Sequence, residues 1–224
     1  MGKHINVPTS GTQCIGAYLA EAPGKPKGGI VVIQEIFGVN AHIRSVADRF
    51  AASGYTAIAP AFFDHLETDV ELDYTDAGMN KGRQLITEVG LDRALEDVAS
   101  AAEAIASAGK IGTVGYCWGG TVAFLSAIRL GLPSVSYYGA RNVPFLAETP
   151  KAPVMFHFGG EDKSIPPEMV AKHRESLPQM DVFSYAGAGH AFNRDIDPSH
   201  YHETSAKLAL QRTMAFFDTY LANA

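Results

Sequence analysis

Apolar positions in this chain fall into short continuous runs, separated by longer stretches that carry a helical stripe. Residues 29–34 (GIVVIQ) are apolar almost without interruption, the pattern of a strand covered on both faces. Asn40 then stands where a helix cap belongs, and Ile43, Val46, Ala47, Phe50 and Ala51 recur at helical spacing. Gly54 suits the end of that helix. Residues 55–59 (YTAIA) return as a second buried strand. Leu91, Leu95, Val98, Ala102 and Ile105 stripe a further helix that Gly109 ends, and the strand 111–116 (IGTVGY) follows. A helix over 119–130, strands at 134–138, 153–158 and 181–185, a helix near 167–177 and a closing helix over about 203–221 complete the rhythm. Strand, helix, strand in this order predicts parallel βαβ units. The expected class is therefore α/β, an open and mostly parallel central sheet with helices on both faces, in a single domain over 1–224. Residues 60–80 show no clean period and are expected to lie as an irregular segment over the carboxyl ends of the strands, where open α/β sheets bind ligands.

Composition narrows the setting. The 224 residues are 46% hydrophobic and 19% charged, a globular balance, and the formal net charge of −6 disfavours a nucleic-acid surface. Only two cysteines occur, Cys14 and Cys117, which fits a reducing, cytoplasmic location better than a disulfide framework. The first ten residues lack the apolar core of a signal peptide, and no apolar run reaches the length of a membrane span. The expectation is a cytoplasmic protein without membrane or nucleic-acid partners.

Residues 112–124 (GTVGYCWGGTVAF) carry the chemistry. Cys117 follows a buried strand, opens a helix, and has glycines at 115, 119 and 120. A nucleophile elbow needs small neighbours of this kind because strand and helix pass close together at a strained turn. A helix N-terminus lowers a thiol's pKa and offers backbone N–H groups to a developing oxyanion. A nucleophile also needs a base, and the base an orienting group. Chain order in such a fold is nucleophile, acid, histidine. Asp162 follows the strand 153–158 in Gly159-Gly160-Glu161-Asp162, and His190 follows the strand 181–185 in a Gly-rich loop. Glu161 rivals Asp162. His4, His42, His65, His157, His173, His200 and His202 lack the strand-end placement and the matching acid, and no cluster at ligand-like spacing suggests a metal.

With QEIFGVN (34–40), GYCWGG (115–120), GGEDKSIP (159–166) and AGHAF (188–192), the chain resembles the dienelactone hydrolase (carboxymethylenebutenolidase) family of α/β-hydrolases over nearly its whole length. The resemblance implies the α/β-hydrolase fold and a Cys117–His190–Asp162 triad, in which the thiol attacks a lactone carbonyl and water releases the opened acid. It implies that Glu35 interacts with the resting thiol and helps generate the thiolate. It implies an oxyanion hole from the backbone N–H groups of Ile36 and Trp118. Family substrates carry a carboxylate, so the resemblance assigns Arg194 to it, with Arg83 as a candidate second cation, equally readable as a solvated helix charge. Phe37, Tyr74, Trp118 and Phe192 are candidate pocket walls, each equally readable as core packing. No cofactor is implied, the partner is a small anionic lactone or ester, and a monomer is expected.

Two other readings compete. One is a broad carboxylesterase or lactonase with a different substrate, since residues 65–90 look shortened and rearranged relative to the best-known members. The other is a non-catalytic or redox-sensing α/β-hydrolase scaffold, although Cys14 has no cue placing it beside Cys117.

Overall fold

The computed structural model describes residues 2–10 and 13–222, which group into two compact units: residues 2–10 and 13–113 with 221–222, and residues 114–220. In the first unit the strand order is β1 (Lys3–Pro8), β2 (Cys14–Ala20), β4 (Thr56–Pro60), β3 (Gly29–Ile33). β1 and β2 form an antiparallel hairpin, β2 is antiparallel to β4, and β3 is parallel to β4. All five residues of β3 are buried, as its unbroken apolar run requires. Helix α1 (Ala41–Ala52) connects β3 to β4, and Asn40 caps it by accepting the Ile43 N–H at 3.2 Å. Its expected stripe, Ile43, Val46, Ala47, Phe50 and Ala51, is buried.

The expectation of an irregular 60–80 needs correction. Residues Phe62–His65 form a short 3₁₀ turn, and a 29-residue helix, α2 (Asp76–Ala104), begins well before Leu91. Thr75 caps it by accepting the Gly78 N–H, and Leu85, Ile86 and Val89 bury one face of its first half. Gly90, at φ 72° and ψ 166°, interrupts the helical backbone and re-aims the second half. Residues 66–74 are the part that stays irregular.

β5 (Ile111–Tyr116) starts in the first unit and ends in the second, where it is followed in strand order by β6 (Ser134–Tyr137), β7 (Val154–Gly159) and β8 (Asp181–Tyr185). β6, β7 and β8 are parallel neighbours. Helix α3 (Trp118–Leu125) runs on through a π-helical turn to Leu130, and α4 (Pro167–Ser176) and α5 (Glu203–Tyr220) follow. Every residue of α3 is buried, so the helix behind Cys117 is a core element with little freedom to shift.

Candidate active site

Cys117 sits between β5 and α3 at φ 55° and ψ −115°, a left-handed backbone that an L side chain adopts only under strain. Close packing enforces the turn. A Cβ on Gly115 would lie 1.8 Å from the Gly119 carbonyl oxygen, and one on Gly120 would lie 2.5 Å from that of Tyr137. The Cys117 N–H donates to the Tyr137 carbonyl at 3.0 Å, tying the elbow to the end of β6. The thiol is thereby presented at the positive end of α3, whose first residue is Trp118.

Two loops bring the acid and the base together. Gly159 ends β7, and a Cβ there would meet the carbonyl oxygens of Ala188 and Gly189 at 2.5 Å, so only glycine lets the loops lie this close. The Gly160 N–H donates to Tyr185 at 2.7 Å and the Glu161 N–H to Ala188 at 2.8 Å. Asp162 faces inward with its carboxyl fully buried, while Glu161, its rival in the sequence, is exposed. One Asp162 oxygen lies 2.7 Å from His190 Nδ1 and the other accepts the Ser164 N–H at 2.8 Å. Both oxygens are thus engaged, which fixes the carboxylate and directs Nδ1–H toward it. His190 keeps 26% of its side chain exposed.

Charge tunes the imidazole. Burial alone would push His190 down, but negative charge at Cys117, with hydrogen bonds to Asp162 and Cys117, outweighs it and raises the group from 6.5 to about 10. The structure therefore brings Cys117, His190 and Asp162 together, with His190 held above the usual imidazole range. Tyr138, which sequence reasoning passed over, packs its ring 5.0 Å from that of His190. It is buried, at φ 40°, with its N–H donating to His157 at 2.8 Å. Its signal was positional: it is the residue just past a strand end, where ligand-facing groups gather.

The other expected residues divide. Phe192 is fully buried, packed on Tyr137, Tyr138 and Tyr185 at 5.2–6.1 Å. Trp118 is likewise buried. Arg194 is nearly buried, with Nη1 donating to Asp197 at 3.0 Å. In the first unit, Glu35 and Ile36 follow β3 and are buried. Phe37 and Tyr74 pack edge to face at 4.7 Å, and the Tyr74 hydroxyl accepts from Asn40 at 3.1 Å. The segment carrying Glu35 and Ile36 is braced twice. The Leu72 N–H donates to Phe37 at 2.9 Å, and a Cβ on Gly82 of α2 would meet the Ile36 carbonyl oxygen at 2.1 Å. Arg83, next along α2, is exposed. Among the described residues no group of His, Cys, Asp or Glu side chains has metal-holding geometry, and no helix is long and apolar enough to cross a membrane.

The model of the dienelactone hydrolase family matches residues 15–221. A carboxymethylenebutenolidase of Pseudomonas putida is 30% identical over 95% of this chain and 94% of its own. A crystal structure from Klebsiella pneumoniae subsp. pneumoniae, assigned as a dienelactone hydrolase, superposes with a TM-score of 0.86 at 30% identity, covering 98% of this chain and 99% of that one. An esterase of Pyrococcus furiosus shares the fold alone, with a TM-score of 0.66 at 14% identity over 99% of this chain and 94% of that one.

Proposed function

The chain belongs to the dienelactone hydrolase family, hydrolases of ester or lactone bonds on the α/β-hydrolase fold, and on that premise we propose that it opens a small carboxylated enol lactone, or a related ester, through Cys117. The observation that carries the reading is the 2.7 Å contact of His190 with the buried Asp162, together with the rise of His190 to about 10 beside Cys117. An imidazole oriented by Asp162 beside the thiol is placed to hold the proton that the attacking sulfur gives up.

The steps follow from those positions. The Cys117 sulfur attacks the carbonyl carbon, and the charge that builds on its oxygen is met by backbone N–H groups, with Trp118 at the head of α3 as one donor. The ring C–O bond breaks and leaves as an enolate, a good leaving group that takes a proton from the His190 imidazolium. Neutral His190 then accepts a proton from water, whose oxygen attacks the thioester. The C–S bond breaks, and the thiolate and imidazolium return. Asp162 keeps Nδ1–H oriented throughout, so that Nε2 is the nitrogen that exchanges the proton. Amides leave poorly from a thiolate-driven step without strong protonation of the amine, which favours esters and lactones. Glu35 as the thiol's carboxylate, the Ile36 N–H as second oxyanion donor and Arg194 as carboxylate contact enter the proposal through the family resemblance.

The test is turnover of 4-carboxymethylenebutenolide followed by loss of its ultraviolet absorbance, with a neutral aryl ester alongside. The reading expects hydrolysis that Cys117→Ala abolishes and Asp162→Asn lowers by orders of magnitude. Turnover of the aryl ester alone, still dependent on Cys117, would retain the thiol chemistry and discard the carboxylated lactone in favour of a general esterase.

A further inference from the structure

Arg194 is held by a carboxylate that is itself rigidly anchored. Its Nη1 donates to Asp197 Oδ2 at 3.0 Å, and the two side chains are only 7% and 12% exposed. His200 Nδ1 lies 2.8 Å from the same oxygen. The other oxygen accepts the Ser199 hydroxyl at 2.5 Å and the Ser199 N–H at 3.2 Å. The backbone closes the same turn, with the His200 and Tyr201 N–H groups donating to the Asp197 carbonyl at 3.1 and 3.0 Å. Burial, which alone would raise the Asp197 carboxyl, is outweighed by the Ser199 hydrogen bonds and the charge of His200, so the group is held below the usual carboxylate range. At neutral pH it is an anion, built in and four-fold anchored, against the cation assigned to substrate.

Such an anion has two effects of opposite sign. It orients the guanidinium, which helps any hydrogen-bonding ligand. It also offsets the positive charge that a substrate carboxylate would feel. Arg194 is confined by its own burial, so orientation depends little on Asp197 alone, whereas a fixed negative charge within about 6 Å of a bound carboxylate repels it by about 1 kcal/mol or more even at high effective dielectric. The charge effect therefore dominates.

We propose that Asp197 is a specificity-determining residue that acts through the charge of Arg194: by pairing with Arg194 it lowers the advantage of a carboxylated substrate and widens the range toward neutral esters and lactones. The proposal rests on the reading that Arg194 meets the substrate's anionic end. In it, Arg194 serves as an oriented donor to any acceptor oxygen, whether carboxylate, carbonyl or hydroxyl.

The test compares kcat/KM for 4-nitrophenyl hydrogen succinate and 4-nitrophenyl butyrate, which share a leaving group and differ in acyl charge. Asp197→Asn and Asp197→Ala both remove the charge and leave different side chains facing Arg194. The anionic-to-neutral ratio is expected to rise about three- to tenfold, through KM for the succinate ester, with kcat little changed. A lesion that only loosened the loop would lower both substrates together. Arg194→Met separates the two layers. If it leaves the wild-type ratio unchanged, Arg194 does not meet the acyl carboxylate and the underlying reading fails. If it lowers the ratio, the reading stands, and a rise in either Asp197 variant supports the proposal, whereas a rise in neither overturns it.

Discussion

Replacing Cys117 by alanine should release His190 from its high pKa. The move from 6.5 to about 10 corresponds to roughly 5 kcal/mol favouring the imidazolium. Burial works against that rise, so the favourable contributions must exceed it, and negative charge at Cys117 is the largest of them. A unit charge in direct contact, about 4 Å away at an effective dielectric of about 20, supplies about 4 kcal/mol. Without it, and without the Cys117 hydrogen bond, burial is opposed by Asp162 alone, and the midpoint should fall by about 3 units or more. The assay is a pH titration of histidine ring ¹⁵N shifts, with His190 assigned by the signal that disappears in His190→Gln. Wild type should keep an imidazolium through pH 9, while Cys117→Ala should show a neutral ring by pH 8. Identical midpoints in the two proteins would mean that Cys117 carries no charge beside His190, and the thiolate–imidazolium account would be refuted.

Three further outcomes follow from other parts of the molecule. The backbone at Cys117, with φ 55°, strains any side chain, so Cys117→Gly should melt above Cys117→Ala, with a stability gain of about 1 kcal/mol. Gly82→Ala should press a Cβ into the Ile36 carbonyl, 2.1 Å away; kcat should drop by about tenfold or more if Ile36 supplies an oxyanion donor, and an unchanged kcat in a folded variant would remove Ile36 from that role. His157 is lowered to about 3 and His173 is also lowered, both chiefly by burial. Unfolded histidine binds a proton near 6.5, so their contribution is fully present above that pH and is lost as pH falls from 6.5 toward 3. The urea midpoint should decline over that window, and a flat midpoint down to pH 4 would contradict the burial of neutral imidazoles.

The turn that carries Cys117 was legible because its constraints are local. Gly115, Gly119 and Gly120 announce a turn that excludes side chains, and the contacts that would meet a Cβ on Gly115 or Gly120 are backbone atoms. The buried strands were equally plain, since β3 is apolar throughout, β7 is apolar but for His157, and both are buried throughout. The first half of α2 was not: Gly78, Gly82 and Gly90 are poor helix formers, and they obscured the stripe of Leu85, Ile86 and Val89. Tertiary packing overrode that propensity, and Gly82 is small because α2 runs against Ile36. β1 was hidden for a different reason, since only Val7 of its six residues is buried and an edge strand needs no apolar run. The partner of Arg194 was readable only with the fold in hand: Asp197 lies three residues on, in a segment without secondary-structure period, and the turn through Ser199 and His200 aims its carboxylate back.

The central claim is that Cys117 is the nucleophile, and the most direct measurement is intact-protein mass spectrometry of enzyme quenched during turnover of the carboxylated enol lactone. Ring opening by a thiolate adds the full mass of the lactone, so a species heavier by that mass should map to the peptide containing Cys117 and be missing from Cys117→Ala. Undiminished lactone hydrolysis by Cys117→Ala, with no adduct on the wild-type thiol, would contradict the account.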